Sequence, residues 1–236
     1  MSEPKKYVIG NWKSYKRFEE ARKWLDAFAL RYTPVANVEV ILAPTFLCLE
    51  QVKDYLATLK LENVSLAAQD ISPYPKGAYT GAIAADLLKG LVDFVIVGHS
   101  ERRRYFHETS HEIGNKVSEA VDADLIPIVC VDQPYAMSQL TSLNDIDTEN
   151  VIIAYGPVDA LNFRIPQSPE KVCDAVEFIG QVHPKWAVVY GGALHPDNVK
   201  DYADIKGVSG LFAGSASLDA DSFYTIFRAV SDKAVL

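Results

Sequence analysis

Asp93-Phe94-Val95-Ile96-Val97-Gly98-His99-Ser100-Glu101-Arg102-Arg103 holds the repeating unit of this chain in miniature. An unbroken apolar run meets a glycine and gives way to a polar stretch that opens a helix. The run is too short for a helix and shows no alternation, so it reads as a parallel strand covered on both faces. The same unit recurs from end to end. Further apolar runs lie at 7–11, 38–43, 64–68, 126–131, 151–155, 186–190 and 210–213, making eight with 93–97. Helical stripes fall between them: Phe18, Ala21, Leu25 and Phe28 repeat at helical spacing, as do Val172, Val176, Ile179 and Val182. Thr109 with Glu112 reads as a capping box, and Ser168-Pro169 as a cap followed by proline at the first helical position. Strand and helix alternate eight times with no composition break, which predicts a single α/β domain over 1–236, a (β/α)8 barrel. An open doubly wound sheet is the runner-up. It calls for a glycine-rich turn after the first strand, and Gly10-Asn11-Trp12-Lys13 is not one. Residues 134–150 carry only a weak stripe (Tyr135, Met137, Leu140, Leu143) among turn formers, so a shortened fifth helix is expected there.

The composition narrows the function. The 236 residues are 49% hydrophobic and 23% charged, with a formal net charge of −8. An acidic chain lacks the basic face that nucleic acid or an anionic membrane requires. No stretch approaches the roughly 20 apolar residues of a membrane span, and no apolar leader precedes the first strand. Cys48, Cys130 and Cys173 are scattered and odd in number. They suit a reducing cytoplasm, match no metal-ligand spacing and read as buried apolar fillers. No cofactor or nucleotide motif is present.

In a parallel barrel the working residues sit where strands end. Lys13, just past the first strand, would point a cation into the mouth; alone the signal is weak, since most lysines are solvated surface groups. Ser100 can cap the helix after the fourth strand, setting His99 at the positive end of that helix, a field that favours a neutral ring. Glu101 stands beside it. Gly191, Gly192 and Ala193 after the seventh strand, and Gly214 and Ser215 after the eighth, could bring backbone N–H groups to an anion. The plainer reading makes these glycines tight turns.

Taken together, Gly10-Asn11-Trp12-Lys13, Ala43-Pro44-Thr45, Ala67-Ala68-Gln69, Gly77-Ala78-Tyr79-Thr80-Gly81, Val97-Gly98-His99-Ser100-Glu101-Arg102-Arg103, Ala154-Tyr155, Pro157-Val158 and Tyr190-Gly191-Gly192 resemble the triosephosphate isomerase family in order and spacing, over essentially the whole chain. The resemblance implies a TIM barrel that interconverts dihydroxyacetone phosphate and glyceraldehyde 3-phosphate in glycolysis and gluconeogenesis. It implies that Lys13 binds the substrate with Asn11 beside it, that His99 is a neutral electrophile, and that Glu101 supports Lys13. It also implies a homodimer, built through the long loop at residues 70–81, with Thr80 near the neighbour's Lys13. An ordinary surface loop, turned by Pro73, Pro75 and Gly77, is the alternative.

The chain departs from that pattern at one end of one pocket. Where the family has Glu-Pro-Val-Trp and a glycine-rich lid, this chain reads Gly156-Pro157-Val158-Asp159-Ala160-Leu161-Asn162-Phe163-Arg164. Gly156 stands at the place of the catalytic base, and residues 157–164 at that of the lid. Ala193 replaces a lid-latching serine, Ser215 a phosphate-cradling glycine, and Asp132-Gln133 a Gly-Glu pair. A positioned general base contributes about 10²- to 10⁴-fold, so efficient turnover is not expected. Asp159 lies three residues beyond Gly156, a displacement of many ångströms at ~3.3 Å per residue, which argues against it as a substitute base. Three functions stay open: an impaired isomerase acting on a small phosphorylated triose, a repurposed or engineered barrel serving another small anion or reaction, and a non-catalytic scaffold.

Overall fold

The computed structural model describes residues 4–133, 135–143, 146, 148 and 150–232. Each predicted apolar run forms a strand: β1 (Lys6–Asn11), β2 (Val38–Ala43), β3 (Val64–Ala68), β4 (Phe94–Val97), β5 (Ile126–Val131), β6 (Ile152–Tyr155), β7 (Ala187–Tyr190) and β8 (Val208–Ala213). The helices are α1 (Phe18–Ala29), α2 (Leu49–Leu59), α3 (Ser100–Tyr105), α4 (Ser110–Asp122), α5 (Ala136–Thr141), α6 (Val158–Phe163), α7 (Pro169–Val182), α8 (Val199–Ala203) and α9 (Ala220–Ser231). Every strand pairs in parallel with its sequence neighbours, and β8 pairs back onto β1 with Tyr7 opposite Gly210 and Gly10 opposite Ala213. The ring is closed, as the eightfold alternation predicts. Its largest boundary shift is in β8, which begins two residues before the expected 210; polar Ser209 breaks the apolar run, while Val208 already pairs with Val188 of β7.

Strand geometry explains why the runs are apolar throughout. Side chains alternate, so Ile9, Ile41, Ala67, Phe94, Ile96, Ile128, Ile152, Ala154, Val189 and Phe212 fill the inside of the ring. Their neighbours Val8, Val40, Leu42, Val95, Val97, Ile153, Tyr155, Val188 and Leu211 point outward into the layer beneath the helices. The expected stripes supply that layer. Ala21, Leu25 and Phe28 are buried with Trp24 on α1, and Val172, Val176 and Ile179 with Ala175 on α7. Across α1 and α9, Trp24, Phe28, Phe223 and Phe227 form one aromatic cluster, with Phe223 centred 5.4 Å from Trp24 and 5.8 Å from Phe28.

The start signals hold in part. Thr109 Oγ1 accepts from the Glu112 N–H, and the Glu112 carboxylate accepts from the Thr109 N–H at 2.8 Å. Pro169 opens α7, but Ser168 makes no capping bond to that helix. The shortened helix expected over 134–150 falls partly on residues outside the described set. Within that set α5 spans Ala136–Thr141; Leu140 and Leu143 are buried, whereas Tyr135 and Met137 are exposed, so half of the weak stripe does not face the core. No helix among the described residues is long and apolar enough to cross a membrane.

Candidate active site

One further step along each strand's inward-facing series carries the chain onto the mouth of the ring. From Ile9 the next inward position is Asn11, from Ala67 Gln69, from Cys130 Asp132, from Ala154 Gly156, from Val189 Gly191 and from Phe212 Gly214. Period two thus aims the strand-end residues at one spot.

Lys13 is held there by its backbone. It adopts a left-handed conformation (φ 51°), uncommon for a residue with a side chain. Its N–H donates to Asn11 Oδ1 at 2.9 Å, and its carbonyl accepts from Gln69 Nε2 at 2.8 Å. The same Gln69 amide donates to the Ala43 carbonyl at 2.8 Å, tying the ends of β1 and β2 to the residue after β3. Asn11 therefore acts by setting the backbone of Lys13. Gln69, which the sequence reading quoted in a motif but gave no role, does the same from the other side. The Lys13 ammonium reaches Glu101 Oε1 at 2.6 Å and lies against Gly214, whose Cα would place a Cβ 3.6 Å from Nζ.

His99 enters from β4. Gly98 takes φ 68°, the left-handed turn that redirects the chain from strand into α3 and that glycine adopts without strain. The expected cap is corrected here: His99, not Ser100, is the N-cap residue of α3, and Ser100 is the first helical residue. His99 Nδ1 accepts from the Glu101 N–H at 3.2 Å, an orphan donor of the helix start. With Nδ1 used as an acceptor, the proton of the neutral ring sits on Nε2. Burial lowers the pKa to about 4; Lys13 and Arg102 push the same way, and Glu101 opposes them. The carboxylate of Glu101, 3.6 Å from Nδ1, is thus the partner of Lys13 rather than of an imidazolium.

These groups border two connected hollows. The larger, about 280 Å³, is lined by Lys13, His99, Glu101, Ala193, Gly214 and Ser215, together with Ala160 and Arg164 of the segment after β6. The smaller, about 20 Å³, room for about one water, lies between His99, Cys130, Tyr155 and Gly156. Both share His99, Gly191 and Phe212. Asp132 also borders the small hollow, but its carboxylate accepts from Gln139 Nε2 and its N–H donates to Gln139 Oε1 at 2.9 Å, which ties it to α5. Burial pushes the Cys130 thiol up to about 12, so it stays protonated at neutral pH.

Gly192 does not join the others. A Cβ on it would lie 2.6 Å from Tyr190 Oη and 2.9 Å from Pro157 Cδ, so its open side faces those rings. The segment at residues 157–164 is helical rather than a glycine-rich loop: Pro157 precedes α6 without a capping bond, and Arg164 ends it in a left-handed conformation (φ 56°). Val158 borders a different hollow, beside Arg103 and Gln139, and Phe163 is exposed. The side chains of Asp159, Leu161 and Asn162 lie outside the described residues, and with them the question of Asp159 as a base.

The ring and its rim define a (β/α)8 barrel with a cation, an imidazole and glycines around one cavity at the C-terminal mouth. A model of the triosephosphate isomerase family matches residues 6–230. The chain is similar to triosephosphate isomerases from Gloeobacter violaceus (36% identity, 94% of this chain and 97% of that protein), Mesomycoplasma hyorhinis (34%, 93% and 96%) and Fusobacterium nucleatum subsp. nucleatum (32%, 94% and 97%). The chain belongs to the triosephosphate isomerase family.

Proposed function

We propose that this chain, acting as one domain, binds a small phosphorylated triose at its mouth and polarises the carbonyl with His99, in the manner of the interconversion of dihydroxyacetone phosphate and glyceraldehyde 3-phosphate, but turns it over slowly. The observation that carries this reading is the meeting of Lys13, paired to Glu101 at 2.6 Å, with a buried neutral His99 on the wall of one cavity. A ring protonated only on Nε2 donates a hydrogen bond to a carbonyl oxygen without carrying charge, and Lys13 offsets the negative charge that develops there. Abstraction of the carbon-bound proton needs a base on the opposite side, where Gly156 has no side chain. Loss of a positioned base costs about 10²- to 10⁴-fold. The neighbouring Asp132, held by Gln139, does not fill the role.

Turnover of both trioses, measured for the chain and for Gly156→Glu, tests this. The carboxylate should raise kcat by about 10²-fold or more, with KM changed far less. No gain from a folded variant, or no His99 dependence of whatever activity exists, would overturn the reading. The expected assembly is a homodimer through residues 70–81. Support comes from the loop's root, where Asp70 pairs with Lys116 at 2.6 Å and with Arg102 at 2.8 Å, and from Tyr74 stacked on Tyr79 at 4.7 Å on its half-exposed outer face. The unpaired Cys48, Cys130 and Cys173 support a reducing compartment, the cytoplasm.

A further inference from the structure

We propose that the Arg164 guanidinium is the group that takes the anionic end of the ligand in the mouth, gripping a phosphate or phosphonate from the lid side of the cavity. The proposal rests on the reading of that cavity as an anion site and names the side chain that makes it one.

The charges around the cavity single out this residue. Lys13 is paired with Glu101 at 2.6 Å, and its charge serves the carbonyl oxygen beside His99 rather than a second anionic group. His99 is a neutral ring at physiological pH. Among the described residues Arg164 is the remaining charged one on the cavity wall, and none of the ion pairs among those residues includes it. On a chain of net charge −8 an anion is repelled over most of the surface, and a guanidinium at the mouth is what reverses the local field. Its root is fixed. The Arg164 N–H donates to the Ala160 carbonyl at 3.1 Å and closes α6 at a left-handed residue. That bond uses the backbone donor of Arg164 inside the helix, so Arg164 can meet a ligand only through its side chain. The planar fork of arginine matches two oxygens of a phosphate at once, while Ser215 and Gly214 line the same cavity.

Calorimetric titration of the full chain with 2-phosphoglycolate, at two salt concentrations, tests the assignment with Arg164→Gln and Arg164→Lys. Arg164→Gln should weaken binding about tenfold or more, the loss expected for hydrogen bonds to a charged group, and should flatten the salt dependence. Arg164→Lys should keep part of the affinity and most of the salt dependence. Circular dichroism checks that each variant keeps the barrel, as an exposed side chain predicts. Equal affinity and equal salt dependence in Arg164→Gln would overturn the role of Arg164 and leave the anion site standing. Absence of any phosphoglycolate binding by the unaltered chain would overturn the anion site itself, and this proposal with it.

Discussion

A histidine that accepts a helix-start N–H on one nitrogen and lies almost wholly inside the protein is locked into its neutral state by folding. Burial lowers the His99 pKa from its ordinary 6.5 to about 4 in the folded chain. Between those values the unfolded chain holds more protons, so stability rises with pH through this window and is lost as pH falls from 6.5 towards 4. The contribution reaches about 3 kcal/mol at its ceiling, from the 1.36 kcal/mol of each unit. Urea midpoints of the chain and of His99→Gln, taken from pH 7 to pH 4, should show the steeper fall in the unaltered protein; parallel curves would mean the ring is not held neutral. Much of this was legible in the sequence, because a histidine after a strand and glycine, with a polar helix start behind it, already faces a helix dipole. Which residue caps the helix was not legible. Both His99 and Ser100 can accept from backbone, and it is the extended ψ of His99 (141°) that makes it the residue before the helix.

Helices and strands were read more easily than the segment between them that matters for function. The stripes on α1 and α7 and the capping box of α4 are local patterns that tertiary packing reinforces, so spacing alone recovers them. The segment at residues 157–164 carries no such pattern. Its helical form follows from Pro157 at the cap and from the Arg164 bond to Ala160, contacts that spacing does not encode. For the same reason Gly192 and Gly191 look alike in sequence, yet only Gly191 borders the cavity, since Tyr190 and Pro157 close over the other. Packing between elements gives a direct test in the layer between the ring and its helices. Phe223 of α9 is fully buried against Trp24 and Phe28 of α1. Phe223→Ala should cost about 3–5 kcal/mol in denaturant unfolding while leaving phosphoglycolate affinity unchanged. A cost below about 1 kcal/mol would mean that the cluster collapses around the gap.

At the scale of the whole molecule, exposed large apolar groups follow β1 to β6, and those nearest the loop after β3, which carries Tyr74 and Tyr79, are Leu47 after β2 and Phe106 after β4. The expected dimer would cover this part of the exposed apolar surface. Sedimentation at micromolar concentration should give twice the 26.1 kDa chain mass, and Leu47→Glu should shift it towards one. A single-chain mass for the unaltered protein would rule the dimer out.

Closure of the ring has one more consequence. With β8 hydrogen-bonded to β1, no strand is first or last, and no row of unsatisfied amides lies open along a flank. Another polypeptide cannot extend this sheet by adding a strand, as it can in an open one. Fibril-like growth from the native state would first require a seam between two staves to part, so resistance to aggregation is built into the topology itself.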